Sequence, residues 1–390
     1  MPTSVQANFA ARAVAAYESM QRSFYLANGP SLYALTSPRQ PGGHRYAYVW
    51  EFSRALVATL AMAGLERDLG GGPGYALAVE DRFRGLDAYW DGGASPPGFD
   101  SYVRAEGGGD KYYDDNVWLG LAFVQRYRMG LSSSLDRARH IFAFGRGGWD
   151  TRERDARPGG VFWVDQRAGA GLSNHDRGAG ATAGYAELGF HLCLLTGDSG
   201  FGGDGTVQAR PAALGASNMI NWVDAHLDSR RRGHGPYWNV VRRDGSIDTN
   251  LWSYNQGVMI GACVLRHQVS GDVSYLEQAR AIARRALEQH GDFTGQPPSF
   301  NAMLFQNLLM LHPHADAALQ RSILHAMRSY AEWTWTTPAI RDPDTNLFYF
   351  DDAGRPARTT RQPAQLRDQG AMTQLYALLA WPSEAYGRLT

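Results

Sequence analysis

Two adjacent aspartates, Asp114 and Asp115, are the residues of this sequence best suited to chemistry. They stand in the segment Lys111-Tyr-Tyr-Asp-Asp-Asn-Val-Trp118, between a glycine-rich stretch and an apolar helical pattern. Two carboxyl groups can divide the work of breaking a glycosidic bond: one attacks the anomeric carbon, and the other, with a raised pKa, protonates the leaving oxygen. Neighbouring helical side chains lie roughly 5 to 6 Å apart, which favours a retaining glycosidase, whose carboxyl groups are about 5 to 5.5 Å apart.

The same pair also has a purely structural interpretation. Asp114 can cap the helix, and Asp115 can interact favourably with the helix dipole. A second pair, Asp351-Asp352 in the segment FDDAG, has the composition of an ordinary turn and provides an internal comparison. The first pair differs from it by neighbours that are typical of a sugar site, namely Tyr112, Tyr113, Asn116 and Trp118.

Two further segments carry side chains suited to sugar recognition. The segment Asn250-Leu-Trp-Ser-Tyr-Asn-Gln-Gly257 opens another predicted helix and offers neutral hydrogen-bonding groups beside an indole: Trp252, Tyr254, Asn255 and Gln256. Its structural alternative is an asparagine helix cap with the indole in the core. The segment Gly159-Gly-Val-Phe-Trp-Val-Asp165 contains Trp163, which can stack on a sugar or plug the end of a barrel.

Helical periodicity dominates the elements that must position these residues. Apolar residues from Phe9 to Phe24 recur at three-to-four spacing, and strand-like alternation is scarce. The pattern predicts an all-α chain of twelve helices, near residues 7–28, 49–68, 75–90, 114–129, 134–145, 180–196, 211–229, 254–270, 273–290, 299–311, 316–335 and 370–380. Short hairpins are predicted only within 231–252 and 346–358.

A loose internal repeat indicates how these helices are arranged. GLAFVQRYRMGLSSSLDRARHIF resembles GACVLRHQVSGDVSYLEQARAIA, and each predicts an apolar helix, a short glycine turn and an amphipathic helix. The segment GFHLCLLTGDSG repeats the first half of this pattern. A single helical hairpin cannot bury its apolar face, so the hairpins must stack, either in an open solenoid or in a closed ring. We expect a closed ring that is lined by the first helix of each pair. No linker divides residues 1–390, which predicts one domain.

Composition and charge exclude several classes of function. The chain has 38 Lys and Arg residues and 38 Asp and Glu residues, so it is formally neutral, and it contains no basic run. It is therefore a poor partner for nucleic acid. Lys111 is the only lysine, so P-loop and Schiff-base chemistry have almost no candidates. The segment Gly200-Phe-Gly-Gly-Asp-Gly205 matches GxGxxG, but it follows a predicted helix and is interpreted as a turn.

The sequence predicts neither a cofactor nor a metal site. His175-Asp176 and His312-Pro-His314 lack the context of known metal motifs, and Cys193 and Cys263 are predicted to be buried thiols. Residues 1–21 are amphipathic, without the basic and apolar regions of a signal peptide, and no membrane-inserting segment is visible. This favours a cytoplasmic protein, whereas a secreted protein trimmed of its leader would have the same sequence.

Three segments together resemble a known family. YYDDNVWLGLAF at 112–123, WSYNQGVMIGA at 252–262 and SGDVSYLEQARAIA at 270–283 are similar to glycoside hydrolase family 76, the endo-α-1,6-mannanases. The resemblance implies an (α/α)6 toroid that acts on α-mannan or α-mannooligosaccharides. It also implies Asp114 as nucleophile and Asp115 as acid/base in a retaining mechanism. Departures from the family pattern at 177–182 and 299–311 concern the choice of mannoside.

Three other functions fit a helical ring of this kind. A sugar epimerase of the N-acylglucosamine type would use histidines as general base and acid, and its candidates are His175, His191 and His234. A carbohydrate-binding protein without activity would retain the tryptophans but would not need both aspartates. A peptide-binding scaffold predicts an apolar groove, whereas the inner helices of this chain begin with polar and aromatic residues.

Overall fold

Twelve α-helices make up most of the computed structural model, which describes residues 3–27, 29–69, 74–152, 156–165, 175–206, 213–230, 234–360 and 362–390. The helices are α1 (Ser4–Phe24), α2 (Val49–Leu69), α3 (Gly74–Leu86), α4 (Tyr113–Arg128), α5 (Asp136–Gly147), α6 (Ala179–Thr196), α7 (Ala216–His226), α8 (Ser253–Ser270), α9 (Val273–His290), α10 (Pro298–Leu311), α11 (Ala317–Thr336) and α12 (Leu366–Ala380). Each corresponds to a predicted helix. The first ends at Phe24 rather than near 28, because Tyr25 is extended and forms a β-bridge with Tyr33.

The even-numbered helices form a closed inner ring. Contacts run from α2 through α4, α6, α8, α10 and α12 and then back to α2. These helices are apolar around much of their circumference, as expected of helices that are covered on all sides, and α6 buries every residue from Ala179 to Cys193. The odd-numbered helices lie outside and bury one face each. The fold is an (α/α)6 toroid, which confirms the predicted all-α class and the closure of the ring.

The internal repeat corresponds to an inner helix followed by its outer partner. α4 packs against α5, α6 against α7, and α8 against α9. The inner helices α6 and α8 each end at a glycine in the left-handed region, Gly197 with φ 72° and Gly271 with φ 75°, a conformation that glycine adopts without strain. The aspartate that follows caps the next helical turn: the Asp272 side chain accepts a 2.9 Å hydrogen bond from the N–H of Ser274.

A second repeated feature joins the inner helices to the connections that precede them. The fourth residue of five inner helices is polar, and its side chain bonds the backbone of the preceding connection. The five pairs are Asn116 with Phe99, Thr182 with Val161, Gln256 with Tyr237, Asn301 with Phe293, and Gln369 with Phe348. Such bonds satisfy buried backbone groups that have no ladder partner. They place each connection over the start of its inner helix.

Short antiparallel ladders complete these connections. β1 (Thr36–Ser37) pairs with β7 (Ala364–Gln365), β2 (Trp90–Asp91) with β3 (Gly98–Phe99), and β5 (Val240–Val241) lies between β4 (Arg177–Gly178) and β6 (Ile247–Asp248). The β5–β6 hairpin confirms the hairpin predicted within 231–252. In the second predicted hairpin the chain reverses through a single bridge between Phe350 and Pro356.

Several smaller predictions are also settled by the structure. Cys193 and Cys263 are free and buried, as predicted. The GxGxxG match lies in a 3-10 turn, Ser199–Phe201, and its surroundings, which confirms its interpretation as a turn. Among the helices of the described ranges, none combines the length and the apolar character needed to cross a bilayer.

Candidate active site

Second or third residues of four inner helices, α2, α4, α8 and α10, line a cavity at one end of the ring. The cavity has a volume of about 490 Å³ and contains both aspartates of the sequence motif. Its walls are formed by Tyr48, Trp50, Glu51, Ser101, Tyr112, Asp114, Asp115, Trp118, Trp163, Tyr254 and Phe300. Because most of these side chains are aromatic, we call this space the aromatic arm.

A second cavity, of about 420 Å³, adjoins the aromatic arm and shares Asp114, Trp163 and Tyr254 with it. We call this second cavity the polar arm, because its lining includes four polar side chains: Asp176, Asn239, Arg242 and Asp248. The two cavities together form one cleft, with Asp114 where the arms meet. A chain of sugars laid across Asp114 would therefore extend into both arms.

The register of α4 explains why both aspartates face this cleft. Successive residues of an α-helix are rotated by about 100°, so Asp114, Asp115 and Trp118 fall on one side of the helix. Tyr113 and Asn116 fall on the other. Trp118 is 4% exposed and closes the floor of the aromatic arm. Its ring meets that of Tyr254 edge-on, with the centroids 6.2 Å apart.

Asp114 is the more readily ionised member of the pair. Its Oδ1 accepts a 3.0 Å hydrogen bond from the backbone N–H of Asp115, and the Trp163 side chain donates a further hydrogen bond. Burial raises the pKa of Asp114 to about 6, and the hydrogen bonds limit this rise because they stabilise the charged form. Asp114 is therefore available as a carboxylate nucleophile at neutral pH.

Asp115 is the member of the pair that more readily keeps its proton. Burial raises its pKa well above the usual range, and the charges of Asp114 and Glu51 raise it further. The guanidinium of Arg54 acts in the opposite direction. Burial lowers the pKa of Arg54 to about 10, which still leaves this group charged at neutral pH. The pair thus combines one group that can attack with one that can donate a proton, the division of roles that general acid catalysis requires.

Trp163 reaches the cleft on a loop that depends on two glycines. Gly159 and Gly160 have φ values of 96° and 80°, and a Cβ on either would lie 2.6 Å from the Trp222 ring. Only glycine fits such a close approach in this conformation. The loop then joins α4, because the backbone N–H of Tyr113 donates to the Trp163 carbonyl (2.9 Å). Trp163 itself stays 37% exposed, with one face available at the junction of the arms.

Buried and partly buried ion pairs fix the connections around the cleft. Arg177, the first residue of β4, is fully buried and donates to Oδ2 of Asp150 at 2.8 Å. Lys111 donates to Asp91 at 2.9 Å and to Asp100 at 2.5 Å just before α4 begins. Removing one partner of a buried pair leaves an uncompensated charge and is strongly destabilising. The single lysine of the chain therefore has a structural role next to the aspartate pair.

Tyr254 lies against the start of α6, where a side chain would block it. A Cβ at Gly180 would lie 2.3 Å from the Tyr254 ring, so glycine permits this contact. The Tyr254 hydroxyl donates to Oδ1 of Asn239 at 3.3 Å. Burial raises the pKa of Tyr254, and the nearby charges of Asp114 and Asp248 raise it further. Tyr254 is thus a neutral wall shared by both arms.

Five residues that the sequence analysis assigned to substrate binding do not line either arm: Tyr113, Asn116, Trp252, Asn255 and Gln256. Tyr113 stacks on Phe144, with the centroids 4.5 Å apart. Trp252 packs edge-on against Phe300. The three amides are fully buried, and each donates a hydrogen bond within the protein. The structure therefore gives these five residues packing contacts or hydrogen bonds within the protein.

The sequence analysis did not assign several residues that line the cleft. In the aromatic arm these are Tyr48, Trp50, Glu51, Ser101 and Phe300, and in the polar arm Asp176, Asn239, Arg242 and Asp248. One signal could have found two of them. Trp50 and Glu51 are the second and third residues of α2, the same positions that Asp114 and Asp115 occupy in α4.

The histidines of the epimerase alternative lie elsewhere. His191 is fully buried within α6, and burial and Arg128 hold its pKa well below the usual range. His175 lies 2.6 Å from Arg152, and His234 uses its backbone N–H to bond Asp228. None of the three lines either arm. Within the described part of the chain, no group of three or more His, Cys, Asp or Glu is arranged to hold a metal ion.

Solved structures with the same fold come from bacteria and from a fungus. The family 76 mannosidase Bt3792 of Bacteroides thetaiotaomicron superposes with a TM-score of 0.77 at 20% identity, covering 96% of this chain and 98% of that one. Dfg5 of Chaetomium thermophilum, solved with glucosamine, has a TM-score of 0.69 at 14% identity, with 96% and 90% coverage.

A third structure is an inactive variant of the α-1,6-mannanase GH76A of Salegentibacter sp. HEL1_6, in which two consecutive aspartates are replaced by asparagine, in complex with α-1,6-mannotriose. It has a TM-score of 0.71 at 16% identity and covers 95% of this chain and 99% of that one. No curated protein sequence matches. The family model of glycosyl hydrolase family 76 matches residues 8–296, well over half of the sequence. The chain therefore belongs to glycosyl hydrolase family 76.

Proposed function

We propose that this protein is a retaining glycoside hydrolase that cleaves α-1,6-linked mannosides within a mannan chain. The observation that carries the proposal is the aspartate pair: two consecutive carboxyl groups face one cleft, hydrogen bonds favour ionised Asp114, and burial together with the neighbouring negative charges favours neutral Asp115. Family membership supports glycoside hydrolysis. The Salegentibacter mannanase, whose inactive variant lacks two consecutive aspartates and binds α-1,6-mannotriose, supports the linkage and the pair.

In the first step, a carboxylate oxygen of Asp114 forms a bond to the anomeric carbon of the mannosyl unit at the junction of the arms. The bond between that carbon and the glycosidic oxygen breaks, and its electron pair stays on the oxygen. Asp115 donates its proton to this oxygen, so the leaving sugar departs as a neutral alcohol. The product of the step is a mannosyl ester of Asp114, with Asp115 left as a carboxylate.

In the second step, the ester is hydrolysed. The Asp115 carboxylate accepts a proton from water while the water oxygen bonds to the anomeric carbon, and Asp114 departs with the electron pair of its ester bond. Each step inverts the anomeric configuration, so two steps retain it. Both aspartates return to their starting protonation states, and the cycle needs no further reactant.

The shape of the cleft supports cleavage within a chain. The aromatic arm and the polar arm extend from Asp114 and have volumes of about 490 and about 420 Å³. Each volume is larger than a single sugar ring requires. Aromatic rings such as Trp163 and Trp50 can stack on the apolar faces of sugar rings, and polar side chains can bond their hydroxyl groups. Sugars on both sides of the scissile bond would thus be held.

The experiment that tests the proposal is digestion of linear α-1,6-mannan, with product length and anomeric configuration followed over time. We expect oligosaccharides of intermediate length, whose newly formed reducing ends are first seen by proton NMR as the α anomer. Early appearance of the β anomer would contradict a retaining mechanism. Failure of the folded protein to cleave this polymer, together with cleavage of another α-mannoside, would contradict the linkage.

A further inference from the structure

A third carboxyl group lies in the aromatic arm beside the aspartate pair. Glu51 is the third residue of α2, and Asp115 is the third residue of α4, the next helix of the inner ring. Glu51 is 9% exposed, and within the described chain its Oε2 has no hydrogen-bond partner. An unpartnered oxygen on a buried carboxyl group costs free energy, so its presence needs an explanation.

The charged groups around Glu51 are engaged with other residues. On α12, Arg367 lowers the pKa of Glu51 through space but makes its ion pairs with Asp352 and Asp368. On α2, Arg54 stacks on the ring of Trp50 and acts on Asp115 of α4.

The remaining titratable neighbours are Tyr48, Tyr89, Asp115 and Asp368, whose pKa values the negative charge of Glu51 helps to raise. The effect of burial on the pKa of Glu51 is larger than the opposing effect of Arg367, and it raises this pKa to about 7. At neutral pH, Glu51 is therefore poised between its two forms.

We propose that Glu51 is a substrate-binding residue, whose Oε2 accepts a hydrogen bond from a ring hydroxyl of the sugar in the aromatic arm. The inference rests on the proposed function, because it takes a mannoside as the occupant of that arm. The aromatic walls offer stacking surfaces, and Glu51 is the carboxyl group there that the two-step mechanism does not use. A carboxylate is a stronger acceptor for a hydroxyl than a neutral group is.

Asp368 provides a matched comparison for Glu51. It is the third residue of α12, on the other side of α2 in the ring, and it is 1% exposed. Burial raises its pKa to about 7, and among the described residues its Oδ2 also has no hydrogen-bond partner. Asp368 does not line either arm. The two groups thus share burial and register and differ in their access to a substrate.

The test is calorimetric binding of α-1,6-mannotriose to protein that carries Asp114→Asn and Asp115→Asn, so that no cleavage occurs. Adding Glu51→Gln should weaken binding roughly 10- to 100-fold, the effect expected when a hydrogen bond to a charged group is lost. Adding Asp368→Asn should leave the affinity unchanged. Circular dichroism and thermal melting establish that each variant is folded.

A second measurement does not require the Glu51 variant to fold. A hydroxyl donor favours the ionised form of Glu51, so mannotriose binding at pH 7 should release a fraction of a proton. Calorimetry detects this release when binding heats are compared between buffers with different ionisation enthalpies. Binding to the aspartate double variant without proton release would overturn the proposal.

The outcomes separate this inference from the proposed function, because wild-type protein is assayed first. Wild type that cleaves α-1,6-mannan, with binding unaffected by Glu51→Gln, would overturn the role of Glu51 and leave the proposed function intact. Equal losses from Glu51→Gln and Asp368→Asn would also overturn it, because the effect would then be structural. Wild type that neither binds mannotriose nor cleaves the mannan would overturn both.

Discussion

The chain contains the dipeptide Asp-Asp twice, and its two copies have opposite surroundings. Asp114 and Asp115 open α4 inside the ring and face the cleft. Asp351 and Asp352 lie in a surface turn: Oδ1 of Asp351 accepts hydrogen bonds from the N–H groups of Ala353 and Arg355, and the side chain of Asp352 is 95% exposed. The same dipeptide thus lines the cleft at the start of α4 and forms part of a surface turn at 351–352.

The difference shows what the ring adds to a pair of carboxyl groups. In the turn, water solvates Asp352, and the hydrogen bonds of Asp351 hold the backbone. At the start of α4, the surrounding helices exclude water, so that proton affinity depends on a few neighbours such as Trp163 and Arg54. Burial in the ring, and not the dipeptide itself, separates the roles of Asp114 and Asp115.

The largest expected effect comes from replacing the nucleophile. Asp114→Asn should lower turnover of α-1,6-mannan by roughly 10⁴-fold or more, because an amide cannot form the glycosyl ester. Asp351→Asn, the corresponding change in the turn, should leave turnover unchanged. Initial rates of reducing-end formation measure both. Substantial activity in a folded Asp114→Asn protein would show that the two dipeptides do not differ in the proposed way.

The second effect depends on the leaving group. Asp115→Asn should lower mannan cleavage by roughly 10²- to 10⁴-fold, the usual contribution of a general acid. An aryl α-mannoside with an acidic phenol needs no proton on departure, so formation of its glycosyl ester should be spared. Added azide should speed turnover of the ester, since it attacks without a general base. Asp352→Asn serves as the control, and equal losses on both substrates would contradict the assignment of Asp115 as the acid.

Much of the fold could be predicted from the sequence, because its determinants are local. Helical periodicity predicted the twelve helices, and the glycine turns around Gly197 and Gly271 predicted how they pair. The aspartate pair was conspicuous for a local reason as well, since it begins an apolar helix beside aromatic residues. Stacking of the hairpins followed from the need of each to bury its apolar face, whereas an open solenoid would have met that need as well as the closed ring that we expected.

The assignment of site residues was less accurate, because a helix start has two faces. In WSYNQG and YYDDN, the fourth helical residue, Gln256 or Asn116, bonds the backbone of the preceding connection and faces away from the cleft. The motif alone does not show which of its residues face the cleft and which face the preceding connection. Glu51 was missed for the complementary reason: its segment carries no motif, and only the packing of α2 against α4 brings it beside the aspartate pair.

The pH dependence of catalysis should reflect the buried pair. Asp114 must be ionised to attack, so kcat/KM should rise as pH increases through an apparent pKa near the value of about 6 to which burial raises that of Asp114. It should fall at higher pH, when Asp115, whose pKa is raised by burial and by Asp114, loses its proton. Because the two groups interact, the apparent values belong to the pair.

Rates across a series of buffers at constant ionic strength measure this profile. Asp115→Asn should remove the alkaline limb, and Asp351→Asn should leave both limbs in place. An unchanged alkaline limb in Asp115→Asn would assign that limb to another group and contradict its role as the proton donor.

The smallest effect concerns stability. A buried carboxyl group with a raised pKa favours its protonated form in the folded state, so its stabilising contribution is complete below the unfolded-state pKa of about 4 and is lost as pH rises through the folded value. For Asp114 the loss is centred between about 4 and the folded value of about 6. Asp114→Asn should therefore raise the free energy of unfolding at pH 8 by about 1 to 3 kcal/mol relative to wild type.

Urea denaturation at pH 8 and at pH 3.5 measures this difference and distinguishes it from other consequences of the substitution. At pH 3.5 Asp114 is mostly protonated in the folded state and largely so in the unfolded state, so most of the gain should disappear. Asp352→Asn should change little at either pH, because its ion pair with Arg367 is exposed and screened by solvent. A gain for Asp114→Asn that is equal at both pH values would show that packing, and not the cost of ionising a buried carboxyl group, separates the two dipeptides.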